Sequence, residues 1–261
     1  MPEPLSKSTE YAHQLIDILK SGELLAEWDL HSWIRNIKAL GNSAHEEYLL
    51  ALAWAAYGDS DKASPLFERA LCVESEADVV AKNYLIFVSL RGELADAVKL
   101  SWRLSQKFIS PEILCRAIYL HLYYGEFAKA FELNRKFLRM VPQAAEQHFS
   151  GDLASLESGL ARFRSTANMS DAQFTVLVRS VAAIMRKNNA ITEHYSFHSL
   201  NEEAMNAYVV TVANCNVDRV AAMNLQLALE LAEHDELLSL NFSVWFEQGS
   251  MLTTQETGQC Q

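Results

Sequence analysis

The sequence is poor in residues that break helices. Nine glycines and five prolines among 261 residues are too few for an all-β sandwich, whose short strands need turn residues about every 8–12 positions. A long apolar run is also lacking. The richest one, Tyr48 to Tyr57, ends after ten residues at Gly58 and Asp59, about half of what a membrane-crossing helix requires. The four cysteines (Cys72, Cys115, Cys215, Cys260) form no C-x-x-C pair, and no basic stretch followed by an apolar one marks a secretory signal, so a reducing, cytoplasmic location and no membrane contact are expected. Catalytic signatures are missing as well. There is no G-x-S-x-G, phosphate loop, H-E-x-x-H, G-x-G-x-x-G or calcium loop, so neither an enzyme nor a cofactor is expected.

Bases are scarce in one place. The net charge is −11, with 22 Lys and Arg against 33 Asp and Glu. Residues 190–261 hold ten acids and a single base, Arg219, which leaves residues 1–189 almost neutral. An acidic surface of this kind repels a phosphate backbone, so no direct nucleic-acid binding is expected.

What is present is half apolar and helix-prone, enough to bury a sizeable core. A phrase recurs in it: a helix-length apolar run, a Gly, an Ala five residues later, then a more charged amphipathic run. It occurs at Gly58 with Ala63, Gly92 with Ala97 and Gly125 with Ala130, so the glycines are spaced by 34 and 33 residues. Helix, tight turn, helix, three times in phase, describes a stacked array. The period and the small residues at 63, 97 and 130, with Phe67, Ala70 and Leu71 in the first copy and Phe137, Leu138 and Pro142 in the third, resemble the tetratricopeptide repeat family. The resemblance covers 44–144, with repeats starting at Ala44, Asp78 and Pro111. It implies an α-α superhelix in which the first helix of each pair lines a concave face. The family's groove positions fall here on His45, Tyr48, Leu52, Lys82, Ile86, Ser89, Cys115, Tyr119 and Tyr123. Of the five polar positions that clamp a terminal carboxylate in the chaperone-binding subset, only Asn83 and Arg116 match, so an amphipathic helix or apolar peptide is the expected ligand rather than a chain terminus. The alternative is a groove filled by the protein's own flanking helices.

The flanks complete the expected domain plan. Helical pairs over 10–21 and 23–40 cap the array within 1–43, and helices over 152–164 and 170–187 cap it within 145–189, with Ser170 as a candidate N-cap. Residues 190–248 read as a small acidic α/β module: strands around HYSFH and NAYVVTVANC, an amphipathic helix VDRVAAMNLQLALELAEH, and a strand LSLNFSVWFEQ with Leu240, Phe242, Val244 and Phe246 on one face and Trp245 on the other. The stretch 249–261 reads as a flexible tail. The fold class is therefore mainly α, a tetratricopeptide-like superhelix followed by a small α/β module.

His194 and His198 lie too far apart on a strand to share one ion, and Cys215 has no nominated histidine partner, so all three read as structural. Trp28, Trp33, Trp54 and Trp102 lie in apolar helical stripes and read as core. The acids Glu202, Glu203, Asp218, Glu230, Glu233, Asp235 and Glu236 form a candidate acidic surface. The expected function is a non-enzymatic adaptor or scaffold that takes another protein or peptide in the groove. The alternatives are an antitoxin, immunity-type or regulatory protein that binds a basic partner through the acidic module, and an enzyme with its site in that module.

Overall fold

The structure is a computed structural model, described here for residues 6–41, 43–73, 77–142, 148–200 and 205–249. It is mainly helical, with a small three-stranded sheet near the end. The expected tail 249–261 lies outside the described residues from 250 onward. The chain forms two compact units, residues 1–120 and 121–261.

The first unit holds α1 (Lys7–Ser21), α2 (Glu27–Ala39), α3 (Ser43–Tyr57), α4 (Ser60–Val73), α5 (Ala77–Arg91), α6 (Leu94–Lys107) and most of α7 (Pro111–Tyr124). Ser6 caps α1 by accepting from the Thr9 amide, and Leu15 and Leu19, one turn apart, bury its inner face. The second helix begins at Glu27 rather than 23, because the chain first runs from Gly22 to Ala26 along its neighbours. There the Leu25 amide donates to the Ala56 carbonyl at 3.0 Å, and Arg91 donates to the Gly22 and Glu23 carbonyls. The late start also turns one side chain out: Trp28 is 82% exposed, a correction to its core reading, while Leu30 and Ile37 face inward.

From Tyr48 onward the α3 helix carries no charged side chain, and α1, α2, α4 and α5 all pack on it. Ala51, Ala53, Ala55 and Ala56 are buried along it, and small side chains let neighbouring backbones approach. Gly58 closes the turn to α4 at φ +92°, a left-handed geometry open to glycine, and Ala63 is buried just beyond. The α5 and α6 helices pack on each other in the same way, with Ala97 buried beyond Gly92.

The second unit holds the end of α7, α8 (Phe127–Met140), α9 (His148–Ala167), α10 (Asp171–Lys187), β1 (Thr192–Leu200), β2 (Met205–Val212), α11 (Val217–Ala232), the single turn α12 (Asp235–Leu238) and β3 (Ser243–Gln248). Gly125 turns into α8 at φ +86° with Ala130 buried behind it. Ser170 caps α10 in a reciprocal capping box with Gln173. The last strand starts at 243 rather than 238, because residues 235–238 wind into the α12 turn.

The sheet order is β1-β2-β3. β1 is antiparallel to β2, with Phe197 opposite Tyr208, and β3 is parallel to β2, with Val210 opposite Phe246. The α11 helix makes the crossover between the parallel strands, as a parallel connection requires. One sheet face carries Tyr195, Phe197 and Tyr208 into an aromatic core, and Phe246 is buried on the same face. Phe197 stacks on Tyr208 at 4.6 Å, and Phe127 of α8, Phe163 of α9 and Phe174 of α10 surround the pair at ring separations of 5.3 to 6.4 Å. The sheet thus shares one core with α8, α9 and α10. The buried Asn206 ties it down, donating to the Phe163 carbonyl at 2.8 Å and accepting from Ser199 at 2.6 Å.

Candidate functional site

The groove positions divide by depth. In the first unit Tyr48 and Leu52 are buried on α3, and Cys115 is buried on α7. The Tyr48 hydroxyl accepts from Asn83, whose amide also donates to the Val79 carbonyl at 3.0 Å, so Asn83 is a core residue that locks α5 to α3 rather than a ligand clamp. Phe67 of α4 stacks on Tyr84 at 4.9 Å beside them. Burial pushes the Tyr84 phenol above its ordinary range, so it stays neutral.

The remaining first-unit positions reach the surface. Lys82, Ile86 and Ser89 follow one another along α5 at helical spacing and are half-buried, His45 is half-buried on α3, and Tyr119 is 47% exposed on α7. The Ser89 hydroxyl donates to the Leu85 carbonyl at 2.6 Å, which leaves its oxygen as an acceptor. Lys82 lies 3.8 Å from Glu112, and Glu112 also accepts from Ser110 at 2.7 Å. That hydroxyl, together with Lys82, holds the Glu112 carboxyl below its ordinary range. The open surface on α5 and α7 is therefore mixed: Ile86 and Tyr119 stand among Lys82, Ser89, Glu112 and the half-buried Arg116, with Lys82 and Glu112 paired to each other.

Tyr123 belongs to the second unit, where its hydroxyl donates to the Ala190 carbonyl at 3.2 Å. Nearby, the buried His121 donates from Nδ1 to Glu126 at 2.7 Å, and Lys129 pairs with the same carboxylate at 2.9 Å. This cluster staples the turn between α7 and α8, where the Glu126 amide donates to the His121 carbonyl.

Of the acidic surface, Asp218, Glu230, Glu233, Asp235 and Glu236 are exposed on α11 and around α12, and Glu202 and Glu203 lie outside the described residues. Arg219 is drawn inward to donate to the Asn188 carbonyl and does not offset them on the surface. His194 and His198 stand exposed on β1, the latter bonded to Ser196 at 3.1 Å. Among the described residues no group of three His, Cys, Asp or Glu side chains is placed to hold a metal. Cys215 is buried against Met223, its sulfur 3.9 Å from the thioether. Trp245 lies on the sheet face opposite the aromatic core, opposite Val209 in the register, and is 37% exposed.

The sequence reading missed the outer face of α11. It is expected to be amphipathic, yet only Val220, Met223 and Leu227 are buried, while Leu225 and Leu229 are 64% and 63% exposed. The signal was present in Leu225 and Leu229, which fall off the 220, 223, 227 stripe. Among the described residues no helix is long and apolar enough to cross a membrane. Comparison with protein-family models, curated proteins and solved structures finds no match for this chain.

Proposed function

We propose that the protein is a non-enzymatic, tetratricopeptide-like adaptor of the cytoplasm that binds an apolar helix or peptide on the first helices of its repeats. The observation that carries this reading is the row Lys82, Ile86 and Ser89 on α5, left partly open while the other sides of α5 pack on α3, α4 and α6. Repeat arrays present such rows because each unit contacts only its neighbours and leaves one face for a ligand. With Tyr48 and Leu52 in the core, the ligand-facing set reduces to His45, Lys82, Ile86, Ser89 and Tyr119. The test is partner capture from cell extract by the wild-type chain and by Ile86→Ser/Tyr119→Ala, read by quantitative mass spectrometry. A partner taken up by the wild type and lost from the double variant is expected, and equal recovery of every captured protein by both would defeat the reading.

A second reading is a regulatory or neutralising protein of the antitoxin or immunity type, whose acidic module docks a basic partner. It is supported by the exposed acids of α11 and α12 and by the inward turn of Arg219, the module's one base.

A further inference from the structure

We infer that the outer face of α11 is a docking seam for a basic amphipathic helix of another protein, an inference that rests on the second reading and is independent of the groove. The α11 helix spans 16 residues, about 24 Å. Its inner face packs on α10 and β3. Its outer face carries Ala221, Ala222, Leu225, Ala228, Leu229 and Ala232, all exposed and at successive helical positions. The helix thus has two apolar faces, separated by Asn224 on one side and by Arg219, Gln226 and Glu230 on the other, and no described element covers the outer one. Four alanines around two leucines leave shallow hollows that a second helix fills with large aliphatic side chains at close interaxial distance.

Charge decides what kind of helix fits. Asp218 stands at one end of the seam and Glu233 at the other, with Glu230, Asp235 and Glu236 close by in sequence. The last turn of α11 contains no basic residue, so Glu230 and Glu233 add negative charge to the negative end of the helix dipole, which raises their need for an external cation. His234, between Glu230 at 3.9 Å and Glu236 at 3.7 Å, is the one basic side chain next to this end in sequence. A second copy of the chain is the wrong occupant. Pairing α11 antiparallel to itself about Leu225 sets Asp218 opposite Ala232 and beside Glu233, at both ends of the contact, with no cation on the seam to answer them. A partner with Leu or Ile along one stripe and Lys or Arg flanking it satisfies both the apolar seam and its acidic ends.

The probe is a fluorescein-labelled 18-residue peptide of leucines at helical spacing and flanking lysines, with a leucine-glutamate peptide of the same pattern as control. Binding to the full chain is read by fluorescence anisotropy at 50 and 500 mM salt. The lysine peptide is expected to bind and the glutamate peptide not. Affinity should fall by about tenfold or more in Leu225→Ser/Leu229→Ser, weaken at high salt, and be unchanged by Tyr119→Ala. Both leucines are exposed, so the double variant keeps its core. Undiminished binding by that variant overturns the seam while leaving an acidic docking module standing. No binding of the lysine peptide at 50 mM salt overturns both. Sedimentation that reveals a dimer dissolved by the leucine substitutions overturns the inference in favour of a second copy.

Discussion

The side-chain amide of Asn224 donates to the Phe246 carbonyl at 2.9 Å and accepts from the Phe246 amide at 2.7 Å. Phe246 lies in β3, an outer strand of the sheet, and the two groups that Asn224 takes are the ones β2 does not use. A side chain on α11 thus fills the place of the next strand in the middle of an exposed edge, which blunts edge-to-edge pairing.

Asn224→Ala should therefore cost about 1–3 kcal/mol in denaturant unfolding and raise light scattering on mild heating, because the freed edge recruits other chains. Asn224→Asp keeps the acceptor and loses the donor, and should fall between the two.

Two of the left-handed glycines, Gly22 and Gly125, differ in what stands beside them. A Cβ on Gly125 would sit 3.2 Å from the Val178 side chain, whereas one on Gly22, at φ +82°, meets nothing within 4 Å. Gly22→Ala should cost about 1 kcal/mol from backbone strain alone. Gly125→Ala adds the clash with a β-branched side chain that has little freedom to move, and should cost more in thermal or chemical unfolding.

Acid should loosen the turn between α7 and α8. Burial holds the His121 imidazole below the usual histidine range and outweighs the upward pull of Glu126. Burial pushes the Glu126 carboxyl up, but hydrogen bonds from Lys129 and His121 prevail and hold it low. The unfolded chain therefore binds the histidine proton more readily than the folded one, and stability drops as pH falls below about 6.5. The Glu126 contribution has the same sign and is lost further down, from about pH 4.5. Melting temperatures measured between pH 7.5 and 5.5 should decline more steeply for the wild type than for His121→Gln. Parallel slopes would remove His121 from the account.

Truncation after residue 189 removes Phe197 and Tyr208 from Phe127, Phe163 and Phe174. The shortened chain should bind a hydrophobic dye and lose near-ultraviolet circular dichroism, as a loosely packed state does. Deletion is thus a poor way to separate the acidic module from the helices before it. Point substitutions on α11 serve that purpose instead.

Local rules placed most of the elements. The Gly-to-Ala phrase located the turns at 58, 92 and 125, the Ser170 cap located α10, and the change of period after 188 located the sheet. What pattern could not show was which neighbour covers which face. Tyr48 and Leu52 occupy groove positions of a first helix, yet α3 is packed by α1 and α2 as well as by α4 and α5, so both are sealed inside. Trp28 sits in an apolar stretch, but α2 starts only one residue before it and its inward phase is set by Leu30 and Ile37. The strand reading of LSLN failed because the α12 turn runs to Leu238 and residues 239–242 bend back toward the sheet before β3 begins, so the alternation there is without a ladder to join. For the acidic surface, composition gave the sign of the charge, and only the fold showed that Arg219 turns away and that α11 has a bare apolar flank.

The strand order β1-β2-β3 also sets a timetable for synthesis. The β1–β2 hairpin is local and closes as soon as it is made, but β3 comes from 243–248, after the whole of α11. At about 5–20 residues per second, roughly 2–7 s pass between completion of β2 and completion of β3. During that interval Tyr208-Val209-Val210-Thr211-Val212 offers one unpaired strand edge, rich in β-branched residues and without a charge. The nascent chain is most vulnerable then, and Asn224, synthesised before β3, is already in place on α11 to catch the strand when it arrives.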